Sequence, residues 1–470
     1  MVIGREKEIE RLRAAYRSDY SEFVAVFGRR RVGKTFLIRE TFDYQFTFQH
    51  AGIAGGTTSE ELQAFGSSLM RAGLEKASVP SSWMEAFNML ATLMEQSRLE
   101  RKVIFIDEIS WMDTPRSRFL QALEFFWNSW ASARKDVLLI ICGSATSWIV
   151  NKVINSHGGL HNRVTYQIAL QPFTLYECEQ YARSRGIEMA RRQLIECYMI
   201  MGGIPYYWSL LNRSMSLAQN VDELFFSPRG ELYNEFNQLY ASLFKNPLPY
   251  IKVVTVLGKK KCGMTREEII SEGKMTDNGL LTAVLADLEH CGFIRHYRAI
   301  GKKTKESLFQ LIDSFTLFYF KFLETREGGS HYWSSVTGSP RYNTWCGFAF
   351  ERVCLMHVAQ IKQRLGITGI LTQEYSWQSR MPDAVQIDLL IDRSDGIINL
   401  CEMKFSQYEF KIDKAYDAQL RRKKAVFCEK TATRKAVHLT MVTTYGLEPG
   451  MYSDSIQNQV TMDDLFVSVS

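Results

Sequence analysis

The sequence predicts a multidomain α/β protein, and three observations carry that prediction. Over the first 171 or so residues, apolar β-like runs alternate with helical stretches, the pattern of a parallel sheet covered on both faces. A glycine-rich loop, Gly28-Arg29-Arg30-Arg31-Val32-Gly33-Lys34-Thr35, joins the first of these runs to a helix. Near the other end, two apolar segments flank the turn cluster Asp392-Arg393-Ser394-Asp395-Gly396 and carry acidic residues at facing positions.

Composition bounds the answer. A length of 470 residues suggests about three domains. With 46% hydrophobic and 23% charged residues, the chain has the make-up of an ordinary soluble globular protein. No signal-like segment opens it, and no apolar run approaches the roughly 18 residues of a membrane span, so no membrane partner is expected. Nine cysteines show no C-x-x-C pairs and no ligand-like spacing with the eight histidines, which implies reduced thiols in a cytoplasmic protein without structural zinc. A net charge of +6 permits nucleic acid as a partner without requiring it.

In chain order, strands are expected at 23–28, 46–51, 102–106 and 137–143. The loop after the first matches G-x-x-x-x-G-K-[ST], which arises by chance in only about 0.015 chains of this length and composition. Its backbone N–H groups, with those opening the helix at Phe36, cradle phosphates at a positive helix end. Lys34 is placed for the β and γ phosphates, and Thr35 for Mg²⁺. Arg29, Arg30 and Arg31 face either phosphate or a neighbouring acidic surface.

The third strand ends in Asp107-Glu108. Alone, an acidic pair after a strand reads as a helix N-cap. Behind a phosphate loop, Asp107 reads as a metal ligand through water, and Glu108 as the group that orients or deprotonates the attacking water. The fourth strand ends in Ser144, a γ-phosphate reporter or a simple turn serine. Arg163 reads as an arginine finger, in cis or in trans, or as a surface arginine. ATP is the expected ligand.

Residues 172–245 are helix-rich, punctuated by Met201-Gly202-Gly203-Ile204-Pro205. Residues 246–327 read as a winged helix: a helix near 250–257, a second capped by Thr265 with Glu268, a third from Asp277 to before Gly292, then strands at 293–299 and 307–312. The third helix has three acids and no Lys or Arg, which disfavours groove reading and favours an internal packing module. Lys259, Lys260 and Lys261, with Lys302, Lys303 and Lys305 on the wing, remain candidates for phosphate contact. Gly328-Gly329-Ser330 and Gly338-Ser339-Pro340 mark a boundary before a last domain, 340–470.

The segment Ile3-Gly4-Arg5-Glu6-Lys7-Glu8, the phosphate loop, Ile106-Asp107-Glu108 and Gly203-Ile204-Pro205 together resemble the AAA-like ATPases named for their abundance in archaea, a branch of the STAND NTPases. The resemblance implies a P-loop ATPase of the ASCE type over 1–171 and a helical lid over 172–245. It also implies adenine-side roles for Gly4, Arg5 and Glu6 and a lid contact from Pro205. The chain departs from ring-forming motors in showing no lid arginine of the sensor type, which favours a switch. A homo-oligomer or a regulatory protein partner is compatible with such a switch.

In the last domain, a hairpin turn centred on Asp395 sets Asp388 opposite Glu402, with Lys404 on the same face. Two carboxylates and an ammonium suit Mg²⁺ or Mn²⁺ and water activation, with Asp388 and Glu402 as the metal ligands. This resembles the PD-(D/E)xK nuclease core of restriction-endonuclease-like domains. The resemblance implies a further acid from the preceding helix, matched by Glu351, and a place near the site for Gln419 on the following helix. The literal Pro382-Asp383 precedes the strand and reads as a decoy; a salt-bridged surface hairpin is the plain alternative. DNA or another nucleic acid is the implied partner.

Overall fold

The computed structural model describes the chain except residues 1, 76–77, 156–157, 245, 298–299, 301–306, 326–328, 380–383 and 470. It divides into two compact units, Met1–Pro172 and Phe173–Ser470.

The first unit is built on a five-stranded, all-parallel sheet of order β2-β3-β4-β1-β5, from β1 (Glu22–Phe27), β2 (Phe48–Ala51), β3 (Lys102–Asp107), β4 (Val137–Gly143) and β5 (Tyr166–Ala169). The three central strands are buried along their whole length, as continuous apolar runs in a doubly covered parallel sheet must be. Helix α1 (Glu6–Arg17) precedes β1, and α2 (Lys34–Thr41), α3 (Thr58–Arg71), α4 (Trp83–Gln96) and α5 (Phe119–Ser129) run between the strands. A dense aromatic layer, with Trp83 meeting Phe65 and Phe119 edge-on, fixes α3 to α5 on the sheet. The sequence missed β5. It has four residues of which only Ile168 is buried, too short an apolar signal to stand out, yet Val24 pairs with Tyr166 along its register.

The second unit begins with α6 (Leu175–Ser184), α7 (Arg191–Met201) and α8 (Glu235–Leu243). Gly203 lies against backbone: an added Cβ would come within 1.8 Å of the Phe173 carbonyl oxygen. Pro205 opens the short helix Pro205–Ser209 at its first turn. Three helices follow, α9 (Leu248–Gly258), α10 (Arg266–Gly273) and α11 (Gly279–His290), then the antiparallel pair β6 (Ile294–Tyr297) and β7 (Leu308–Leu311). The Thr265–Glu268 capping box forms at the start of α10. Lys302, Lys303 and Lys305 lie outside the described residues, as does Pro382-Asp383. Aromatic packing of Phe318 and Phe322 on Trp333 and Trp345 bridges the segment where the sequence places a boundary.

The last element group is α12 (Pro340–Met356), a mixed five-stranded sheet of order β12-β11-β10-β9-β8, and α13 (Lys414–Thr431), which carries the chain from β10 over to the parallel β11. The strands are β8 (Thr372–Gln378), β9 (Gln386–Arg393), β10 (Ile397–Lys404), β11 (Ala436–Thr443) and β12 (Asn458–Thr461). In the β9–β10 hairpin Ile398 faces Asp392 and Cys401 faces Leu389, a register centred on Asp395. Carried one residue further, it sets Asp388 opposite Glu402.

Candidate functional site

The glycine loop leaves the carboxyl end of β1, where parallel sheets place ligand groups. Two glycines are needed there for different reasons. Gly28 has φ +147° and passes so close to Leu170 that an added Cβ would lie 2.3 Å from its carbonyl oxygen. Gly33 has φ +90° and turns the loop into α2, whose first residue is Lys34.

The Lys34 ammonium is buried and donates to Gly28 O, Arg29 O and Ser144 Oγ, each at 3.0 Å. The Thr35 hydroxyl donates to Asp107 Oδ2 at 2.7 Å. Ser144 also turns to Glu108, its hydroxyl donating to Oε1 at 2.8 Å and its N–H to Oε2 at 3.1 Å. Lys34, Thr35, Asp107, Glu108 and Ser144 therefore form two short chains of contacts across the ends of β1, β3 and β4. Glu108 holds a left-handed backbone, φ 45°, the kind of local strain that persists where surrounding contacts fix it.

Around this group Arg29 and Val32 are buried, Arg31 is half-buried, and Arg30 and Phe36 are exposed. Gly4 has φ +63°, Arg5 donates to the Gln171 carbonyl at 2.7 Å, and Glu6 opens α1. Arg163 is exposed. Pro205 belongs to the second unit.

The second group is assembled from three remote stretches. α12 packs against β10 and brings up Glu351. Burial first, then the Asp388 carboxylate, push Glu351 up to about 7, against the pull of Arg352; Glu402 adds to the rise and Lys404 opposes it. Glu351, Asp388, Glu402 and Lys404 thus share one electrostatic neighbourhood. Lys404 Nζ stands 3.8 Å from Glu402 Oε1 and 5.1 Å from the centre of the Tyr416 ring. Gln386 donates to Asp388 Oδ1 at 2.7 Å.

Sequence reasoning missed Lys423, whose ammonium donates to Glu402 Oε2 at 2.7 Å. A signal existed: Tyr416, Gln419 and Lys423 follow one face of α13 at helical spacing. Burial and the carboxylates of Glu402 and Glu351 push the Tyr416 phenol up. Gln419 lines a cavity of about 260 Å³ with Gln386, Arg422 and Lys423. Among the described residues no three His, Cys, Asp or Glu side chains are gathered to hold a metal ion.

In the basic run after α9, Lys260 pairs with Glu268 at 2.7 Å and Lys261 lies over the Phe348 ring at 3.1 Å; Lys259 and Lys261 are exposed. On α11, Asp287 accepts from the Tyr250 hydroxyl at 2.5 Å.

Residues 3–211 match the family model described as an ATPase domain predominantly from Archaea. That match, together with the all-parallel sheet, supports a P-loop ATPase domain of archaeal type in the N-terminal unit. Over 371 residues the chain is 25% identical to the uncharacterized protein MJECL04 of Methanocaldococcus jannaschii, covering 75% of this chain and 76% of that protein. Among solved structures it is similar to the Walker-type ATPase PABY2304 of Pyrococcus abyssi, with TM-score 0.48, 16% identity, and 68% and 96% of the two chains covered. It is also similar to the ORC2 protein of Aeropyrum pernix in its ADPNP–ADP complexes, with TM-score 0.44, 12% identity, and 72% and 96% covered. Among the described residues no helix is long and apolar enough to cross a membrane.

Proposed function

We propose that this chain is an ATP-hydrolysing switch whose nucleotide state controls a metal-dependent, nuclease-like C-terminal site acting on DNA, in processing or defence. The convergence of Glu351, Asp388, Glu402 and Lys404 from α12, β9 and β10 is the observation that carries the second half of this reading.

At the N-terminal site Lys34 leaves its neutral oxygens for the β and γ phosphates, and Thr35 and Asp107 hold the Mg²⁺ side. Glu108, freed from Ser144, takes the proton of the attacking water, while Ser144 reads the γ-phosphate. Gly4, Arg5, Glu6 and Pro205 serve the base, and Arg163 serves the transferred phosphoryl within one subunit or across two. The 246–327 segment acts as an internal winged-helix packing module, in keeping with the engagement of Lys260 and Lys261.

At the C-terminal site the carboxylate oxygens of Asp388 and Glu402 are the hard donors that Mg²⁺ or Mn²⁺ takes, and the bound ion would supply charge neutralisation at a phosphodiester. Lys404 orients the attacking water and Glu351 adds a third carboxylate. A second reading, a signalling or scaffold ATPase whose last domain binds without cutting, is favoured by one observation: both oxygens of Glu402 already face ammonium groups.

Incubation of the purified chain with DNA and RNA, with Mg²⁺ or Mn²⁺ and with or without ATP, separates the two. The switch reading expects cutting that responds to ATP and disappears in Lys404→Ala. Absence of cutting across these substrates, metals and nucleotides ends the nuclease half and leaves the binding reading.

A further inference from the structure

In the first unit, β2 pairs with β3 alone, so its outer edge is unpaired among the described residues. Such an edge presents a row of backbone N–H and C=O groups that another extended chain can match. Every residue from Phe46 to Ala51 lines one cavity of about 680 Å³. Side chains alternate between faces along a strand. Phe48 and His50 turn toward α3, where both rings meet Phe65. Gln49 and Ala51, both exposed, stand in register with Phe105 and Asp107 on the opposite face. Because residues of both faces line it, the cavity wraps the free edge of the strand.

Each face brings one guanidinium to this hollow. On the α2 side, Arg39 follows Thr35 by one helical turn, and the Thr35 hydroxyl bonds Asp107 at 2.7 Å. On the α3 side, Arg71 donates to Ser68 Oγ at 3.1 Å, and Ser68 Oγ lies 3.0 Å from His50 Nδ1. Arg39 is half-buried and Arg71 exposed, and neither forms an ion pair among the described residues. Asp107 is the carboxylate of the lining, and it already accepts from Thr35 and from the Glu108 N–H.

We propose that the free edge of β2 is a docking site for an extended acidic segment of a partner protein, which joins the sheet as a further strand. The backbone of that segment pairs with β2. Two adjacent carboxylates, pointing to opposite faces, meet Arg39 on one side and Arg71 on the other. Charge selects this occupant. A basic strand would be repelled by both guanidiniums, and an apolar one would leave both unanswered. A second copy paired edge to edge would bring its own two arginines to the same place. The site lies outside the nucleotide chemistry but borders it, since the Gly52 N–H that follows β2 donates to Asp107 O at 3.0 Å.

The test uses the full chain and a short fluorescein-labelled peptide of valine and threonine with two adjacent glutamates at its centre. Anisotropy should show binding that weakens about tenfold in Arg39→Gln and again in Arg71→Gln, the loss of one charge-assisted contact each. Replacing both glutamates of the peptide by glutamine should weaken binding about a hundredfold, and this arm leaves the protein unaltered if an arginine variant melts early. A peptide N-methylated at its central amides should not bind, because it cannot pair with a strand. Hydrogen exchange at the β2 amides should slow when the parent peptide is added. Equal binding of the N-methylated peptide, or unchanged exchange in β2, overturns strand pairing. Equal binding of the glutamine peptide overturns the acidic occupant, and no binding of the parent peptide overturns both. If the chain instead dimerises with its β2 amides protected in the dimer, the occupant is a second copy and the partner proposal fails.

Discussion

The two sites hold their lysines in opposite ways. Lys34 rests on two backbone carbonyls and a hydroxyl, all neutral, whereas Lys423 and Lys404 face the charged Glu402. An anion arriving at the first site replaces hydrogen bonds to neutral groups with charge-assisted ones, each roughly twice as strong. A cation arriving at the second must first dislodge an ion pair. The first is poised for a phosphate, and the second is self-neutralised and conditional. That contrast is what a controlling ATPase and a controlled second site would require.

The contrast can be broken at several points. Lys34→Ala and Glu108→Gln should each lower ATP turnover by about 100-fold or more, in line with loss of one preorganised charge or one general base. A phosphate-release assay that finds both variants fully active would remove the N-terminal machinery. Glu402→Gln should abolish metal-dependent DNA cutting while sparing ATP turnover; equal loss of both would mean that the sites are not separable in this way.

Stability separates the regions too. Gly28→Ala must push a Cβ against the Leu170 carbonyl at a φ that side chains avoid, so urea unfolding should show a loss of about 2–3 kcal/mol.

Each unit also contains a histidine that burial holds neutral, down to about 4: His50, against Arg71, in the first, and His357 in the second. His357 donates from Nδ1 to Val353 O at 2.7 Å and accepts at Nε2 from the Leu175 N–H at 2.9 Å, an arrangement that a protonated ring cannot keep. Because the unfolded chain binds the proton first, stability should be full above about 6.5 and fall as pH drops toward 4. One histidine accounts for a slope of at most about 1.4 kcal/mol per pH unit. Denaturation curves for His50→Gln and His357→Gln should flatten that loss, and an unaltered slope in both would discount the histidines. The smallest effect is expected at Gly347 inside α12, where an added Cβ meets nothing within 4 Å: Gly347→Ala should gain about 0.5–1 kcal/mol in the same unfolding assay.

The legibility of the two sites differs for a physical reason. Gly28, Gly33, Lys34 and Thr35 act within one turn of chain, so their spacing alone announces them. Asp388, Glu402 and Lys404 needed only one further assumption, the hairpin centre at Asp395, because side chains alternate with period two along a strand. Lys423 lies 21 residues from its partner, and nothing local ties the two. Its helical face was readable, but what that face meets was not. The short edge strand Tyr166–Ala169 escaped for the converse reason: its membership rests on backbone pairing with β1, not on its own side chains.

By itself the sequence determined the phosphate loop, the buried strands leading into it and the acids after the third of them, since each is set by contiguous residues and fixed periodicities. Tertiary structure alone decided that Ser144 bridges Lys34 to Glu108, that Lys261 lies over the Phe348 ring, and that Lys423 neutralises Glu402. Those outcomes depend on which charged groups are brought together and shielded from water. Coulomb energy acts through distance in space and local dielectric, neither of which is written in the order of residues along the chain.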